Sequence, residues 1–215
     1  MSKNSIAIID YGSQYTQLIA RRVRESNVYC EIFAWDTAPT KVLALNPTAY
    51  ILSGGPNSVY DPGAPTLPQY ILDSRAPVLG VCYGMQLMAH ALGGRVASSQ
   101  QKEYGPAEVE ITDERLPLFS SLEPPTSTLQ VWMSHGDRID QVPAGFHVTA
   151  RSTNSPIAAM ANEQRKLYAI QFHPEVNHTP RGREIIRNFL FEVAGCKPDW
   201  TSASFIEDAV NSIRA

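Results

Sequence analysis

Cysteine is scarce in this sequence, and the lack of paired cysteines narrows the possible folds and locations. Three occur among 215 residues, at Cys30, Cys82 and Cys196. This odd, scattered set matches neither a disulfide framework nor the CxxC pairs of a structural zinc site. Unpaired thiols are typical of a reducing compartment, so we expect the protein to be cytoplasmic.

The sequence also lacks an excess of charge and any long hydrophobic run. Its 18 Lys and Arg residues against 21 Asp and Glu residues give a net charge of -3, so neither nucleic acid nor a membrane surface is an expected partner. The apolar run at residues 6–9 is too short for a secretory signal or a membrane span. With 43% hydrophobic residues, the composition is that of a globular protein.

The first half of the chain alternates between short apolar runs and amphipathic segments. The apolar runs predict strands at residues 5–10, 29–33, 49–52 and 78–81. The amphipathic segments predict helices at residues 16–26, 41–45 and 85–92. Because parallel strands need crossover helices, this order predicts an α/β fold with an open, mostly parallel sheet and helices on both faces.

The second half is predicted to be smaller and richer in β-strands. Its strands are predicted at residues 107–112, 128–133, 146–151, 157–161 and 167–172. A helix is predicted at residues 181–193 and an amphipathic stretch at 204–213. A chain of this length predicts one domain with at most a short extension, which we assign as domain 1–195 and linker 196–215.

Cys82 lies in the segment Gly80-Val81-Cys82-Tyr83-Gly84, between a predicted strand and a predicted helix. Glycines around a nucleophile at such a junction are typical of a nucleophile elbow, a turn too tight for neighbouring Cβ atoms. The sulfur would then lie at a helix N-terminus, where the helix dipole favours thiolate over thiol. We predict that Cys82 is a nucleophile; a small buried apolar residue is the alternative. Cys30 and Cys196 lack this context.

The candidate proton carrier is His173, in Gln171-Phe172-His173-Pro174-Glu175. On an extended segment, residues two apart share one face, so Glu175 can hold one imidazole nitrogen while the other addresses Cys82. A Cys-His-Glu triad is therefore predicted, and a purely structural histidine is the alternative. No recognisable ligand spacing links the histidines, so no metal site is expected. The other histidines are His90, His135, His147 and His178.

A third segment, Ser53-Gly54-Gly55-Pro56, follows the third predicted strand. Consecutive glycines there can turn backbone N–H groups into the crevice and, with the N–H of Tyr83, form an oxyanion hole. An ordinary turn is the alternative. Since no Gly-x-Gly-x-x-Gly follows the first strand, a dinucleotide site is not indicated.

Segments 53–56, 80–84 and 171–175, taken together and in this chain order, resemble the class I glutamine amidotransferases. This resemblance implies a flavodoxin-like α/β fold. Segments 8–15, 56–64 and 132–137 resemble the GMP synthase branch of that family. The resemblance covers essentially the whole chain. It implies that Cys82 is the nucleophile, His173 the general base and acid, and Glu175 its orienting partner, while Gly55 and Tyr83 supply oxyanion N–H groups. It also implies that L-glutamine is bound by Gln86, Ser134 and His135.

The resemblance further implies a partner for this chain. GMP synthases pass ammonia to an ATP-pyrophosphatase domain that adenylates xanthosine monophosphate (XMP), and the Ser-Gly-Gly-x-Asp-Ser loop of such a domain is absent here. We therefore expect ATP and Mg²⁺ to bind to that other domain and no cofactor to bind to this chain. The present sequence is interpreted as the amidotransferase part of a longer protein; the alternative is a separately encoded subunit. We expect this piece to be monomeric and the full enzyme to be homodimeric.

Three other functions stay open at this stage. A γ-glutamyl hydrolase on the same scaffold would prefer peptide or polyglutamate substrates, although the linker argues against it. Amidotransfer into another pathway is disfavoured by segments 11–15 and 134–137. A non-catalytic flavodoxin-like interaction module is disfavoured by the intact Cys82, His173 and Glu175.

Overall fold

The structure is a computed structural model that describes residues 4–122, 126–201 and 203, with residue 100 described by its backbone alone. The amphipathic stretch predicted at residues 204–213 lies outside these residues. Nine strands are described: β1 (Ser5–Asp10), β2 (Tyr29–Ala34), β3 (Ala49–Leu52), β4 (Val78–Val81), β5 (Arg95–Ile111), β6 (Thr128–Gln141), β7 (His147–Ser152), β8 (Ala159–Asn162) and β9 (Leu167–Ile170). Five α-helices are described: α1 (Thr16–Glu25), α2 (Pro39–Ala44), α3 (Gln69–Asp73), α4 (Tyr83–Ala91) and α5 (Gly182–Asn188).

The strands form one nine-stranded sheet in the order β2-β1-β3-β4-β9-β8-β7-β5-β6. The first five in this order pair in parallel, and the remaining four pairings are antiparallel. The α/β fold predicted from the sequence is therefore correct. Its β-rich second half does not form a separate layer, because every strand of that half extends the same sheet.

Alternation along β1 shows how the two faces of the sheet are covered. Ile6 and Ile8 belong to a buried cluster that includes apolar side chains of α1 and α5. Ala7 and Ile9 belong to a second cluster, which includes side chains of α2, α3 and α4. Since successive strand residues point to opposite faces, helices cover both faces of the parallel part.

The β5–β6 hairpin is much longer than the sequence indicated. β5 spans Arg95–Ile111 and β6 spans Thr128–Gln141, whereas strands were predicted only at residues 107–112 and 128–133. The missed part of β5 carries polar residues together with Gly105 and Pro106, and its register shifts between Ser98 and Glu103. Such residues are disfavoured in strands on propensity, but the paired strand supplies the backbone hydrogen bonds here.

Several helix boundaries also differ from the predictions. α4 begins at Tyr83 and not at residue 85, because the turn at Cys82 leads directly into it. The helix predicted at residues 181–193 is α5 followed by a π-helix at Phe189–Val193. The short α3 was not predicted, since its five residues lie close to Pro68 and give little helical periodicity. Within the described residues, no helix is long and apolar enough to cross a bilayer.

Candidate active site

Cys82 lies in the sharp turn between β4 and α4. Its backbone has φ 52° and ψ −107°, a left-handed conformation that is costly for a residue with a side chain. A Cβ on Gly80 would lie 2.7 Å from the Gly84 carbonyl oxygen, and one on Gly84 would lie 2.5 Å from that of Leu52. The flanking glycines are therefore required by close backbone packing, as expected for a nucleophile elbow.

Hydrogen bonds to neighbouring strand ends hold this turn in place. The N–H of Cys82 donates to the carbonyl of Ile170 at the end of β9 (2.9 Å), and that of Gly84 donates to the carbonyl of Ser53 after β3 (3.0 Å). Cys82 is 4% exposed, and its sulfur donates to the carbonyl of Ser134 on β6 (3.6 Å). The sulfur is thus fixed at the carboxyl end of the parallel strands, under the long hairpin.

His173 is held against the same hairpin by its backbone. Its N–H donates to the carbonyl of Trp132 (3.0 Å). Its carbonyl accepts from the hydroxyl of Thr179 (2.6 Å), whose oxygen also accepts from the N–H of Trp132 (3.0 Å). These three bonds fix the imidazole relative to β6, and the ring of Tyr15 packs edge-on against it with centroids 5.1 Å apart.

Glu175 contacts His173, although the segment is not extended as predicted. β9 ends at Ile170, two residues earlier than predicted, and bends follow at residues 171–172 and 174–176. Gly182 at the start of α5 lies so close to the Pro174 carbonyl that no side chain fits there. Nδ1 of His173 still lies 2.7 Å from Oε1 of the fully buried Glu175.

The electrostatics of His173 favour its charged form. Burial lowers its pKa, but the charge and hydrogen bonding of Cys82 and the interaction with Glu175 outweigh burial and raise it well above 6.5. Gly54 marks how tightly these groups pack: a Cβ there would lie 3.1 Å from Cε1 of His173 and 3.6 Å from Cβ of Cys82. The arrangement can therefore hold a thiolate beside an imidazolium.

Cys82 and His173 open into a cavity of about 690 Å³ at the carboxyl end of the sheet. The cavity is also lined by Gly55, Gln86, Ser134 and His135, which the sequence assigned to the site. The side chain of Tyr83 does not line it, and its hydroxyl donates to the carbonyl of Pro65 (2.7 Å). The structure thus brings six of the eight predicted site residues to one cavity, and neither Tyr83 nor Glu175 lines it.

The two predicted oxyanion donors keep their backbone N–H groups available. Among the described residues, no acceptor is bonded to the N–H of Gly55 or of Tyr83. Tyr83 is the first residue of α4, so its N–H has no partner within the helix. A Cβ on Gly55 would lie 2.7 Å from the Tyr11 carbonyl oxygen, so only glycine fits there.

Gln86 and His135 share one hydrogen-bond acceptor. Nε2 of Gln86 donates to the carbonyl of Asp137 (3.1 Å) and to Oε1 of Gln171 (3.2 Å). Nδ1 of His135 lies 2.8 Å from the same Asp137 carbonyl, and its Nε2 lies 3.2 Å from Glu103. Burial acts to raise the pKa of Glu103, but hydrogen bonds with His135 and Ser152 keep it below its ordinary value.

Sequence reasoning missed several residues that build this site. Asp137 had been noted only as part of a segment, and Glu103 falls in the part of β5 that was not predicted. Arg22 of α1 is buried and donates through Nε to the carbonyl of Glu175 (3.0 Å), a contact between distant segments that no local pattern indicates. Thr179 gave no signal either.

One group of potential metal ligands lies apart from the cavity. Within the described part of the chain, ligand atoms of Asp113, His147 and Glu163 lie within 4.8 Å of one another. None of these residues lines the cavity, and His147 and Glu163 are exposed. No role in the chemistry of Cys82 follows from them.

Comparison with known proteins extends these findings. GMP synthases [glutamine-hydrolyzing] from Thermomicrobium roseum and Vibrio atlanticus are 57% and 51% identical to the chain over 99% and 100% of its length. The chain spans only 39% and 41% of the length of these relatives. A crystal structure from Thermoplasma acidophilum, of a protein provisionally described as one of the subunits of a GMP synthase, has TM-score 0.74 and 28% identity, covering 96% of this chain and 97% of that one.

A second solved structure supports the fold alone. A glutamine amidotransferase from Thermotoga maritima has TM-score 0.71 and 18% identity, covering 90% of this chain and 99% of that one. The family model of Glutamine amidotransferase class-I matches residues 7–193, a span that contains the elbow, the histidine and the whole cavity. The chain therefore belongs to the class-I glutamine amidotransferase family.

Proposed function

We propose that the chain hydrolyses L-glutamine and delivers ammonia for the amination of XMP to GMP. The observation that carries the proposal is the hydrogen bond between the fully buried Glu175 and His173 (2.7 Å), which lines the same cavity as Cys82. The high identity to GMP synthases over the whole chain supports the identity of the final product.

The proposed reaction has two stages. The Cys82 thiolate attacks the side-chain amide carbon of glutamine, and the N–H groups of Gly55 and Tyr83 stabilise the resulting oxyanion. As the C–N bond breaks, His173 gives its proton to the departing nitrogen, leaving a γ-glutamyl thioester on Cys82. Water, deprotonated by His173, then attacks the thioester and releases glutamate and the thiolate.

Glutamine would be held by the groups above the sulfur. We assign its amino-acid end to the backbone around Ser134 and His135, and we assign part of its binding to Gln86, all of which line the cavity. We assign ATP and Mg²⁺ to an ATP-pyrophosphatase part outside this chain, and the relatives leave room for one, since the chain spans only 39% and 41% of their length. Three free buried cysteines suit a reducing cytoplasm.

Labelling with 6-diazo-5-oxo-norleucine tests the nucleophile. The diazo carbon of this glutamine analogue takes up one proton, a thiolate then displaces N₂ from it, and the product is a stable thioether. We expect mass spectrometry to find the adduct on Cys82, and to find it much more slowly in His173→Ala. His178→Ala is the matched control, because this nearby histidine stacks on Trp132 and does not line the cavity. An adduct on Cys30 or Cys196 alone would contradict the proposal.

A coupling experiment tests the destination of the ammonia. We expect the isolated chain to release glutamate slowly, and to release it faster when mixed with a GMP synthase ATP-pyrophosphatase part, XMP, ATP and Mg²⁺. The nitrogen of amide-¹⁵N glutamine should then appear in GMP. Brisk glutamine turnover by the isolated chain, with no response to the partner, would contradict the coupled role.

A further inference from the structure

The loop between β3 and α3 reaches across the cavity to β6. The hydroxyl of Ser58 donates a short hydrogen bond to one carboxylate oxygen of Asp137, and the hydroxyl of Tyr60 donates to the other (2.7 Å). Ser58, Tyr60 and Asp137 all line the cavity that contains Cys82. Two segments that had each pointed to the GMP synthase branch, residues 56–64 and 132–137, are thus bonded to each other here.

The loop is built to present these hydroxyls. Asp61 accepts from the N–H of Ser58 (3.0 Å), and its own N–H donates to the Ser58 carbonyl (3.0 Å). These paired bonds close a tight turn between the two hydroxyl-bearing residues. Tyr60 is 47% exposed, so burial does not hold its ring there. Its hydroxyl bonds to Asp137, and this bond is the leading cause of its raised pKa.

Asp137 depends on these two hydroxyls. It is 8% exposed, and within the described residues no Lys, Arg or His lies at ion-pair distance from its carboxylate. A buried carboxylate without a cation requires hydrogen-bond donors. Removal of the Ser58 and Tyr60 hydroxyls would leave it poorly satisfied, and the strand around it would shift to expose it.

A shift of Asp137 would reach the glutamine-binding groups. Its carbonyl is the shared acceptor for Nε2 of Gln86 (3.1 Å) and Nδ1 of His135 (2.8 Å). The carboxylate of Asp137 therefore holds the loop, and its backbone carbonyl orients two side chains that line the binding cavity. The position of the loop and the orientation of these side chains are thus coupled through Asp137.

We propose that Ser58 and Tyr60 are positioning residues for glutamine binding, which act through Asp137 by holding the 56–61 loop over the cavity and keeping Gln86 and His135 aligned. The proposal rests on the proposed function, since it concerns the same cavity. Neither hydroxyl takes part in bond breaking. Their loss weakens the binding of glutamine and leaves the chemistry at Cys82 intact.

The test is the kinetics of Cys82 labelling by 6-diazo-5-oxo-norleucine, with the half-saturating concentration and the maximal rate measured separately. In the double variant Ser58→Ala with Tyr60→Phe, we expect the half-saturating concentration to rise by about 10-fold or more, and the maximal rate to change by less than about 2-fold. Ser58→Thr, which keeps a hydroxyl, should restore most of the loss from Ser58→Ala.

Two comparisons separate positioning from a merely structural effect. In an Asp137→Ala background, Ser58→Ala and Tyr60→Phe should have almost no further effect, since residues that act through one partner are not additive. Asp140→Asn is the matched control on β6, because its carboxylate pairs with Arg138 (2.9 Å) outside the cavity. It should leave the half-saturating concentration unchanged.

The outcomes distinguish the two proposals. If wild-type Cys82 is not labelled at all, the glutaminase function fails. If wild type is labelled but the double variant shows an unchanged half-saturating concentration, or an equal loss in the Asp137→Ala background, the positioning role is overturned. A fall confined to the maximal rate would also overturn it. Urea unfolding of each variant identifies any loss caused by global destabilisation.

Discussion

Replacing Glu175 with glutamine should change which nitrogen of His173 carries the proton. Glu175 is fully buried, and its Oε1 lies 2.7 Å from Nδ1 of His173. Among the described residues, no donor contacts its other oxygen, Oε2. The carboxylate therefore holds Nδ1 in its protonated form, and Nε2 is left to exchange a proton with Cys82.

The lack of a hydrogen-bond donor at Oε2 within the described part of the chain decides how the side chain of the Glu175→Gln variant is oriented. With the amide carbonyl of the new side chain at the Oε2 position, an oxygen stays where an oxygen already lies without a donor among the described residues. The NH₂ then faces Nδ1 and donates to it. We expect this arrangement, which places the ring proton on Nε2 instead of Nδ1 in the neutral imidazole.

The consequence is a large loss of reactivity with little change in fold. Loss of the Glu175 charge removes one cause of the raised pKa of His173, so the ring is more often neutral. A neutral ring with its proton on Nε2 cannot accept the Cys82 proton, and the equivalent change in a serine protease triad costs about 10⁴-fold. We expect labelling of Cys82 by 6-diazo-5-oxo-norleucine to slow by about 10³-fold or more in Glu175→Gln. Nitrogen NMR of His173 should show the proton on Nε2. Glu108→Gln, an exposed substitution on β5, is the control.

Two results would refute this reasoning. Labelling of Glu175→Gln within about 5-fold of wild type would show that the tautomer does not limit the rate, since wrong-tautomer losses are far larger. Slow labelling with the proton still on Nδ1 would show that charge, and not tautomer, is the decisive contribution of Glu175.

Three further predictions follow from the packing and charge around the site. Gly84→Ala should destabilise the fold by about 3 kcal/mol or more in urea unfolding, because the new Cβ would lie 2.5 Å from the Leu52 backbone. Gly136→Ala is the control, since the atom nearest to its new Cβ lies 3.5 Å away. Arg22→Met should cost about 1–3 kcal/mol, because the buried Glu175 carbonyl loses its donor; Arg21→Met, 68% exposed, should cost little. Because the pKa of His173 is raised in the folded state, its protonation stabilises the fold fully below the unfolded pKa of 6.5 and progressively less as the pH rises toward the folded pKa. The stability deficit of His173→Gln should therefore be largest near about pH 6 and shrink by about pH 10; a deficit that grows with pH contradicts the assignment.

The parallel half of the fold could be predicted from sequence because its signals are local. The bounds of β1, β3 and β4 agree with the predicted strands, since a buried parallel strand is a continuous apolar run between polar ends. The full length of the β5–β6 hairpin could not be predicted, since the polar residues of β5 and Pro106 are stabilised by pairing with β6, the next strand along the chain, and not by their own propensity. Local composition carries no information about such a partner.

The same distinction separates the predicted from the unpredicted parts of the site. The elbow at Cys82 is encoded within five residues, because its glycines leave no room for a Cβ against the neighbouring backbone. Arg22 and Glu175 lie 153 residues apart, and Ser58 and Asp137 lie 79 apart. Their contacts exist only once the sheet has formed. Sequence thus indicated the residues of the proposed reaction and missed the residues that hold them.

The charge balance at His173 predicts how one imidazole can serve first as an acid and then as a base. Its pKa, about 11, is lowered by burial and raised chiefly by the charge of Cys82, with a smaller contribution from Glu175. Once the sulfur forms a thioester or a thioether, it carries no charge, so its raising effect on the pKa of His173 is lost while the lowering effect of burial remains. The pKa of His173 should fall when Cys82 is acylated, so the ring gives its proton to departing ammonia and can then accept one from water.

Labelled protein makes this fall measurable. The adduct with 6-diazo-5-oxo-norleucine leaves Cys82 as a neutral thioether, and NMR titration of the His173 ring should give a lower pKa in the adduct than in the free protein. Alkylation of Cys82→Ser, which lacks the sulfur, is not expected, and its His173 should already show the lower value. An unchanged pKa on labelling would mean that Glu175 alone keeps the ring charged. The proton for ammonia would then require another source, because a ring that stays protonated cannot also activate water.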